Sequence, residues 1–448
     1  MNLDPTQAKL DQLLDEGLTL LDNKQCDAGK IVATAEREFR IVVENGEFTL
    51  AQLTNEQNIG VLVHKNNKKG SASLNSPDTQ ELKNAINEAS SLASFSLEDP
   101  HLILASNEEA PKAPKLNFLC DTDFYDVDVN IIETAAKKAL KILSSDKRLC
   151  IDRFEIGVGG ALHNLANTNG VRQQELQTTI DWSYLGMARD GDQVSGMDYD
   201  SGFSFSLKDF EDKLLGDIES YKQRLLDSLK LVKTPTYTGK VLLSPRALDD
   251  LILGTMLYHS SGRKIMDGKS RWADSLNDSV CSDLLTITDD PHSSSMSGST
   301  SYDSDGIPTF KKVMIENGVL KTHLFDCYSA NKLGKKANAS SGGPFGLKVS
   351  AGTTPLSDLF ASQSEVVFVE RFSGNLDPLT GDFSGVAKNS CLYSDGNRLG
   401  SIGETMIAGN SFDLMKQILN ISQETQLVDD CLVAPTILVD GISVSSAE

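Results

Sequence analysis

The stretch from Glu36 to Leu53, EREFRIVVENGEFTLAQL, limits the possible folds more than any other. Apolar and polar residues alternate towards Asn45-Gly46 and continue on its far side. An Asn-Gly pair flanked by alternation is the strongest short-range signal for an antiparallel hairpin, because both turn residues tolerate positive φ. NIGVLVHKNNKKGSASL reads as another hairpin, with the Lys-rich HKNNKKG (64–70) as a solvated turn. A helix carrying Leu10, Leu13, Leu14 and Leu21 precedes these strands. A second helix follows in SPDTQELKNAINEASSLASF, with Ser76 expected as N-cap and Pro77 at its first position. Helix, antiparallel strands, helix is an α+β pattern rather than a βαβ one.

The 448 residues suffice for two or three packed units. We divide them into an N-terminal α+β segment (1–105), a middle helix-strand segment of the same lobe (106–232) and a β-rich C-terminal domain (233–448). SNEEAPKAPKLN (106–117) reads as a linker, and KTPTYTG (233–239) as the main boundary. The middle segment has turns at Asn169-Gly170 and Asp190-Gly191. It ends in a helix whose stripe is Phe210, Leu214, Ile218, Tyr221, Leu225 and Leu229. Short strands separated by Gly and Asn-Gly turns then predict a sandwich or barrel-like domain, with short helices near 329–333 and 411–419.

Composition excludes several classes. No apolar run approaches the ~20 residues of a membrane helix, and the polar N-terminus is unlike a signal peptide. The seven cysteines form no Cys-x-x-Cys pair, which predicts reduced thiols in a cytoplasmic protein. A net charge of −21 repels phosphate backbones, so no nucleic-acid partner is expected.

Bottom-up, the chemistry is sparse. SPRALDDLILGTMLYHSSGRK, Ser244 to Lys264, reads as one helix on which Leu248, Ile252, Thr255 and His259 share a face. A lone inward histidine reads as a hydrogen-bonded core residue rather than a metal ligand. SYDSDG (301–306) has Ser301 and Lys312 where a calcium loop needs Asp and Glu, so it reads as an acidic turn. ASSGGPFG (339–346) lacks the Lys-Ser/Thr of a phosphate loop. There is no Gly-x-Ser-x-Gly elbow. Cys431 follows two aspartates, which should raise its pKa and disfavour a thiolate.

The order of the motifs KKGSAS (68–73), TITDDPHSSSMSGSTSYDSDGIPT (286–309), IENGVLKTHLFDCYSANKLG (315–334), NLDPLTGDFSG…ETMIAGN (375–410) and APTILVDGISV resembles the TldD/PmbA family. The resemblance spans nearly the whole chain. It implies cytoplasmic metallopeptidase assemblies, formerly described as modulators of DNA gyrase, in which TldD and TldE (PmbA) pair as a heterodimer around unfolded peptides. TldD-type subunits carry His-Glu-x-x-x-His and a later Cys for zinc, the Glu being the general base for a metal-activated water. TldE-type subunits lack that set. The matching place here is GTMLYH: Gly254 stands at the first histidine, Thr255 at the glutamate, and only His259 remains. Cys431 falls near the third ligand.

The resemblance therefore implies a TldE/PmbA-like subunit with no catalytic residue and no metal of its own. His259 and Cys431 are then vestigial candidates better read as packed, and zinc belongs to a TldD-like partner. The glycine-rich loop, with Gly342 and Gly343, is the candidate contact for extended peptides. Two alternatives remain: a stand-alone homodimeric peptide-binding protein without peptidase activity, and an autonomous peptidase built on His259 and Cys431.

Overall fold

The computed structural model describes residues 3–23, 26–76, 78–403 and 405–446. In the Glu36–Leu53 stretch, Asn45 (φ 51°) and Gly46 (φ 83°) both take positive φ, the geometry that lets a two-residue turn follow the strand twist. Strand β1 (Ala28–Glu44) runs into β2 (Glu47–Lys65), which returns into β3 (Lys68–Leu74) through Asn66 (φ 53°) and Asn67 (φ 57°). Strands β4 (Leu149–Asn167) and β5 (Arg172–Asp190) extend the antiparallel sheet in the order β3-β2-β1-β4-β5. The two-residue β6 (Gln193–Val194) and β7 (Asp198–Ser204) also pair with β5.

Because strand side chains alternate, one face of this sheet is apolar. Ile31, Ala33 and Ala35 of β1 pack under helices α1 (Asp4–Asn23) and α2 (Thr79–Phe95). Ile41 and Val43, with Ile156 and Trp182, pack under α3 (Asn130–Leu143) and α4 (Phe210–Asp227). The other face is polar: Arg40 bridges Glu38 and Asp181, the latter at 2.9 Å. The start of α2 lies two residues beyond expectation. Asp78 is its N-cap, accepting from the N–H of Gln80 (2.8 Å) and Glu81 (3.1 Å), while Pro77 falls outside the described residues.

The C-terminal part is the β-rich unit that the turn pattern implied, but its sheet is not closed. Fourteen strands form a branched mixed sheet whose main path starts at Val319–Leu320 and ends at Leu231–Val232. The long strand Leu432–Ser446 pairs with four others, because a bulge between Val439 and Ile442 redirects it. The expected short helices are Cys327–Leu333 and Ser411–Lys416. Among the described residues no helix is long and apolar enough to cross a membrane.

Candidate functional site

Ser244 opens the helix of interest, its Oγ accepting from the N–H of Ala247 (3.1 Å), with Pro245 in the first turn. After α5 (Pro245–Leu248) comes one π-helical turn, Asp249–Leu253, in which the N–H of Gly254 reaches back to the carbonyl of Asp249. Such insertions recur at functional sites because they re-aim the following face. Helix α6 (Gly254–Ser260) follows, and the chain breaks at extended Ser261 (ψ 124°) before α7 (Gly262–Met266). The expected single helix is thus in pieces. The break brings Gly262 against the strand-like Leu324–Phe325, where a Cβ would sit 2.5 Å from the Phe325 ring.

Leu248, Ile252, Thr255 and His259 are all fully buried, as their shared face predicted. His259 is held by the backbone on both sides. Its Nδ1 accepts from the N–H of Arg271 (2.9 Å), so Nε2 carries the proton and donates to the carbonyl of Pro378 (3.0 Å). The ring packs against Phe412 (5.0 Å between centroids) and Trp272 (6.0 Å). Burial lowers its pKa, outweighing the Pro378 carbonyl. Neither ring nitrogen has a lone pair left for a metal.

Cys431 lies elsewhere. It ends the hairpin turn made by Asp429 (φ 46°) and Asp430 (φ 56°), between strands Ile418–Val428 and Leu432–Ser446, and is exposed. Its thiol is pushed up to about 11 by partial burial and then by Asp249, Asp429 and Asp430. Asp249 is itself raised to about 6, by burial, Asp250 and Asp429. The residue of the broken helix that faces Cys431 is therefore Asp249. His259 stands ten residues on, about 15 Å further along the axis at 1.5 Å per residue. Among the described residues His259 makes its contacts with Arg271, Pro378, Trp272 and Phe412 rather than with Cys431. The sequence signal for this acidic corner was the adjacent acid pair Asp249-Asp250 in ALDDLILG.

Both lobes build this corner. A cavity of about 400 Å3 beside Asp429 is lined by Arg153, Tyr184, Tyr199, Asp200 and Ser201. Ser201 Oγ donates to Asp430 (3.1 Å). Below it, Arg224 of α4 donates to Asp198 (2.6 Å) and Asp200 (2.9 Å), and Arg246 of α5 donates to Asp200 (2.5 Å). The donor set does not fit zinc. It comprises aspartates and one thiol that keeps its proton, without histidine. Among the described residues no three His, Cys, Asp or Glu side chains converge as a metal site.

The loop with Gly342 and Gly343 packs on the acidic turn, and its far end leads into Leu347, whose N–H donates to the carbonyl of Cys431 (3.0 Å). Asp303 accepts from the N–H groups of Asp305 (2.9 Å), Ile307 (2.9 Å) and Ser341 (3.0 Å), which bears out the turn reading of SYDSDG. Gly342 has φ +88°, and a Cβ there would meet Ser304 Oγ at 2.7 Å. The turn docks on the N-terminal sheet through Tyr302 Oη to the carbonyl of His163 (2.8 Å) and Lys30 Nζ to the carbonyl of Ser304 (2.9 Å).

Comparison with known proteins agrees with this two-lobed architecture of a metallopeptidase type. The models for PmbA/TldA metallopeptidase domain 1 and for the PmbA/TldA metallopeptidase C-terminal domain match residues 30–93 and 236–446. The chain belongs to the PmbA/TldD family, and within it is TldE/PmbA-like. It is 24% identical to the metalloprotease PmbA of Escherichia coli O157:H7, over 93% of this chain and 92% of that one. It is 27% identical to an uncharacterized protein of Methanocaldococcus jannaschii, over 86% and 88%. The crystal structure of TldE from Thermococcus kodakarensis superposes with a TM-score of 0.86 at 21% identity, covering 98% of this chain and all of that one. A putative modulator of DNA gyrase from Thermotoga maritima also gives 0.86, at 20% identity and coverage of 97% and 100%.

Proposed function

We propose that this chain is a TldE/PmbA-type subunit of a cytoplasmic metallopeptidase assembly. It shapes a chamber for extended peptides, while a TldD-like partner holds the zinc and performs hydrolysis. The observation that carries this reading is the Cys431 corner, where Asp249 and Asp250 stand in the broken helix and the nearest-by-motif histidine, His259, is consumed by backbone hydrogen bonds. The corner has carboxylates that could take a proton, but it lacks the histidine ligands that hold a hydrolytic zinc.

A partner is supported by the edge of β2. Residues 47–58 pair with β1 on one side only, because β3 reaches only 59–65. Phe48, Leu50 and Leu53 on this edge are about half exposed, and the segment holds neither Lys nor Pro to discourage pairing.

The test is to purify the chain alone and with a TldD-like chain from the same genome, then follow cleavage of unfolded casein. The chain alone should bind no stoichiometric zinc and cleave nothing, and the pair should cleave in a chelator-sensitive way. Chelator-sensitive cleavage by the chain alone would refute this reading, and self-pairing without any effect of the TldD-like chain would favour the homodimeric alternative.

A further inference from the structure

Asp198, whose carboxylate anchors Arg224, also borders a cavity of about 610 Å3 between α4 and the C-terminal sheet. That volume lies within the usual range for small-ligand sites. Strand pairing builds its wall. Cys391 stands opposite Phe368, and Tyr393 opposite Arg398, so these four side chains share one sheet face. Glu370, two residues beyond Phe368, lines the same space.

Most charged groups around the cavity are already satisfied. Arg224 is taken by Asp198 and Asp200, and Asn389 Nδ2 donates to Asp198 (2.7 Å). Two are not. Among the described residues the Glu370 carboxyl receives no hydrogen bond, the contacts of this residue being through its backbone to Ser390 and Ser244. Among the described residues Arg398 forms no ion pair; it donates to Ser401 Oγ (2.9 Å) and interacts with the Cys391 thiol, which leaves part of its five-donor fork unused. One wall thus carries an unbonded acid and an underused guanidinium, with the Phe368 and Tyr393 rings between them.

Their spacing selects the ligand. Arg398, Tyr393 and Val366 occupy one rung, so Arg398 is two strand spacings from the Val366 strand, about 10 Å. Glu370 lies just past the end of that strand, four residues on from Val366, about 13 Å. The Cα atoms are therefore roughly 16 Å apart. Once both long side chains reach inwards, the gap matches about two to three residues of extended chain and exceeds a single amino acid.

We propose that this cavity binds a short zwitterionic peptide, its ammonium on Glu370, its carboxylate on Arg398 and a side chain against Phe368 and Tyr393. The proposal stands on the cavity's own groups and does not depend on the metallopeptidase-subunit reading. Burial raises empty Glu370 to about 7, while Arg224 and Arg246 oppose the rise and Asp198 and Asp200 add to it. Cys391, Tyr393 and Arg398 complete the surroundings, both Cys391 and Tyr393 being raised by burial. An ammonium arriving at Glu370 near pH 6.5 should therefore displace its proton.

The experiment is calorimetric titration of the full chain with alanyl-phenylalanine at pH 7.5. One site per chain is expected. N-acetylated and C-amidated forms of the dipeptide should each bind at least tenfold more weakly, as should the dipeptide to Glu370→Gln or Arg398→Gln. A decapeptide with free ends should not bind, because both ends cannot be held at once. At pH 6.5 the binding heat should depend on the ionisation enthalpy of the buffer, and this dependence should vanish in Glu370→Gln. Equal binding of the blocked dipeptides or of the decapeptide would overturn the proposal, as would no binding at millimolar concentration. The ligand-side changes decide the matter on unaltered protein even if a variant melts early.

Discussion

Replacing His259 by alanine separates a packed histidine from a metal ligand. The change strands the Arg271 N–H and the Pro378 carbonyl inside a fully buried site. Each unsatisfied group costs about 1–3 kcal/mol. The void beside Phe412 and Trp272 adds a large-to-small term of roughly 3 kcal/mol. These terms overlap, and about 4 kcal/mol is expected in all. Hydrogen exchange with mass spectrometry reads this locally: protection of amides in 254–260 and 270–273 should fall by about a thousandfold, at ~1.4 kcal/mol per decade. Peptides from α1 and α2 should be unchanged. His259→Gln keeps a donor and an acceptor and should retain most of the protection. The pH dependence follows from the lowered pKa of His259. Between its folded value and the unfolded ~6.5 the unfolded state binds the extra proton, so this stabilisation is full above pH ~6.5 and is lost as pH falls. His259→Gln should flatten that slope. Unchanged protection in the alanine variant, or loss of proteolysis by the assembled pair in an intact His259→Gln variant, would refute the packed role.

Three further variants give the remaining predictions. Asp249→Asn should stabilise the chain at pH 7.5 by roughly 1–2 kcal/mol, since the raised carboxyl favours the fold only at low pH and that advantage is lost as pH rises through about 6. The same variant should speed alkylation of Cys431, measured by mass spectrometry, because one of the carboxylates that raise the thiol is gone. Lys312→Met should destabilise by about 3–5 kcal/mol in urea unfolding, because it leaves Asp289 charged and fully buried, 3.3 Å from where Lys312 Nζ stood. Exchange should rise most in 338–346, since Lys312 Nζ donates to the Ala339 carbonyl and Asp289 accepts from Phe345 and Gly346. Leu50→Lys with Leu53→Lys should abolish co-purification with a TldD-like chain while leaving the melting temperature within a few degrees.

Local chemistry was legible where local rules decide structure. Asn45-Gly46 fixed a hairpin because positive φ is needed at two successive residues, and the spacing from Leu248 to His259 predicted one buried face. The cap of α2 was misplaced because Ser76 and Asp78 are both good caps, and the choice between them depends on which oxygen meets the first free N–H groups. The break at Ser261 is set by Leu324 and Phe325, which no helical periodicity contains. The Asp249–Cys431 corner joins residues brought close only by the C-terminal sheet. The π turn at Asp249–Leu253, which adds a residue and rotates all that follows, leaves no mark in the spacing of the motifs.

The charges around the corner bear on what holds its frame together. Asp198, Asp200, Asp249, Asp250, Asp429 and Asp430 gather there in a chain already at −21. A bound divalent ion is one way to offset such a cluster. Here fixed cations from both lobes do so. Arg224 and Arg246 clamp Asp198 and Asp200. Burial raises Asp250 and Asp430, and this rise is opposed at Asp250 by Arg371, which lies over the Tyr199 ring (4.8 Å), and at Asp430 by Ser201 and Lys213. Guanidinium forks hold paired carboxylates in fixed geometry and stay charged at any working pH. The lobes are thus locked together by side chains, a task that would otherwise fall partly to a metal. The prediction follows directly. Arg246→Met should loosen the junction, seen as faster exchange in 198–204 and 245–250, and chelators should not reproduce the effect in the unaltered chain. Equal loosening by a chelator would mean that a bound ion shares the work, and the assignment of this corner to fixed cations would fall.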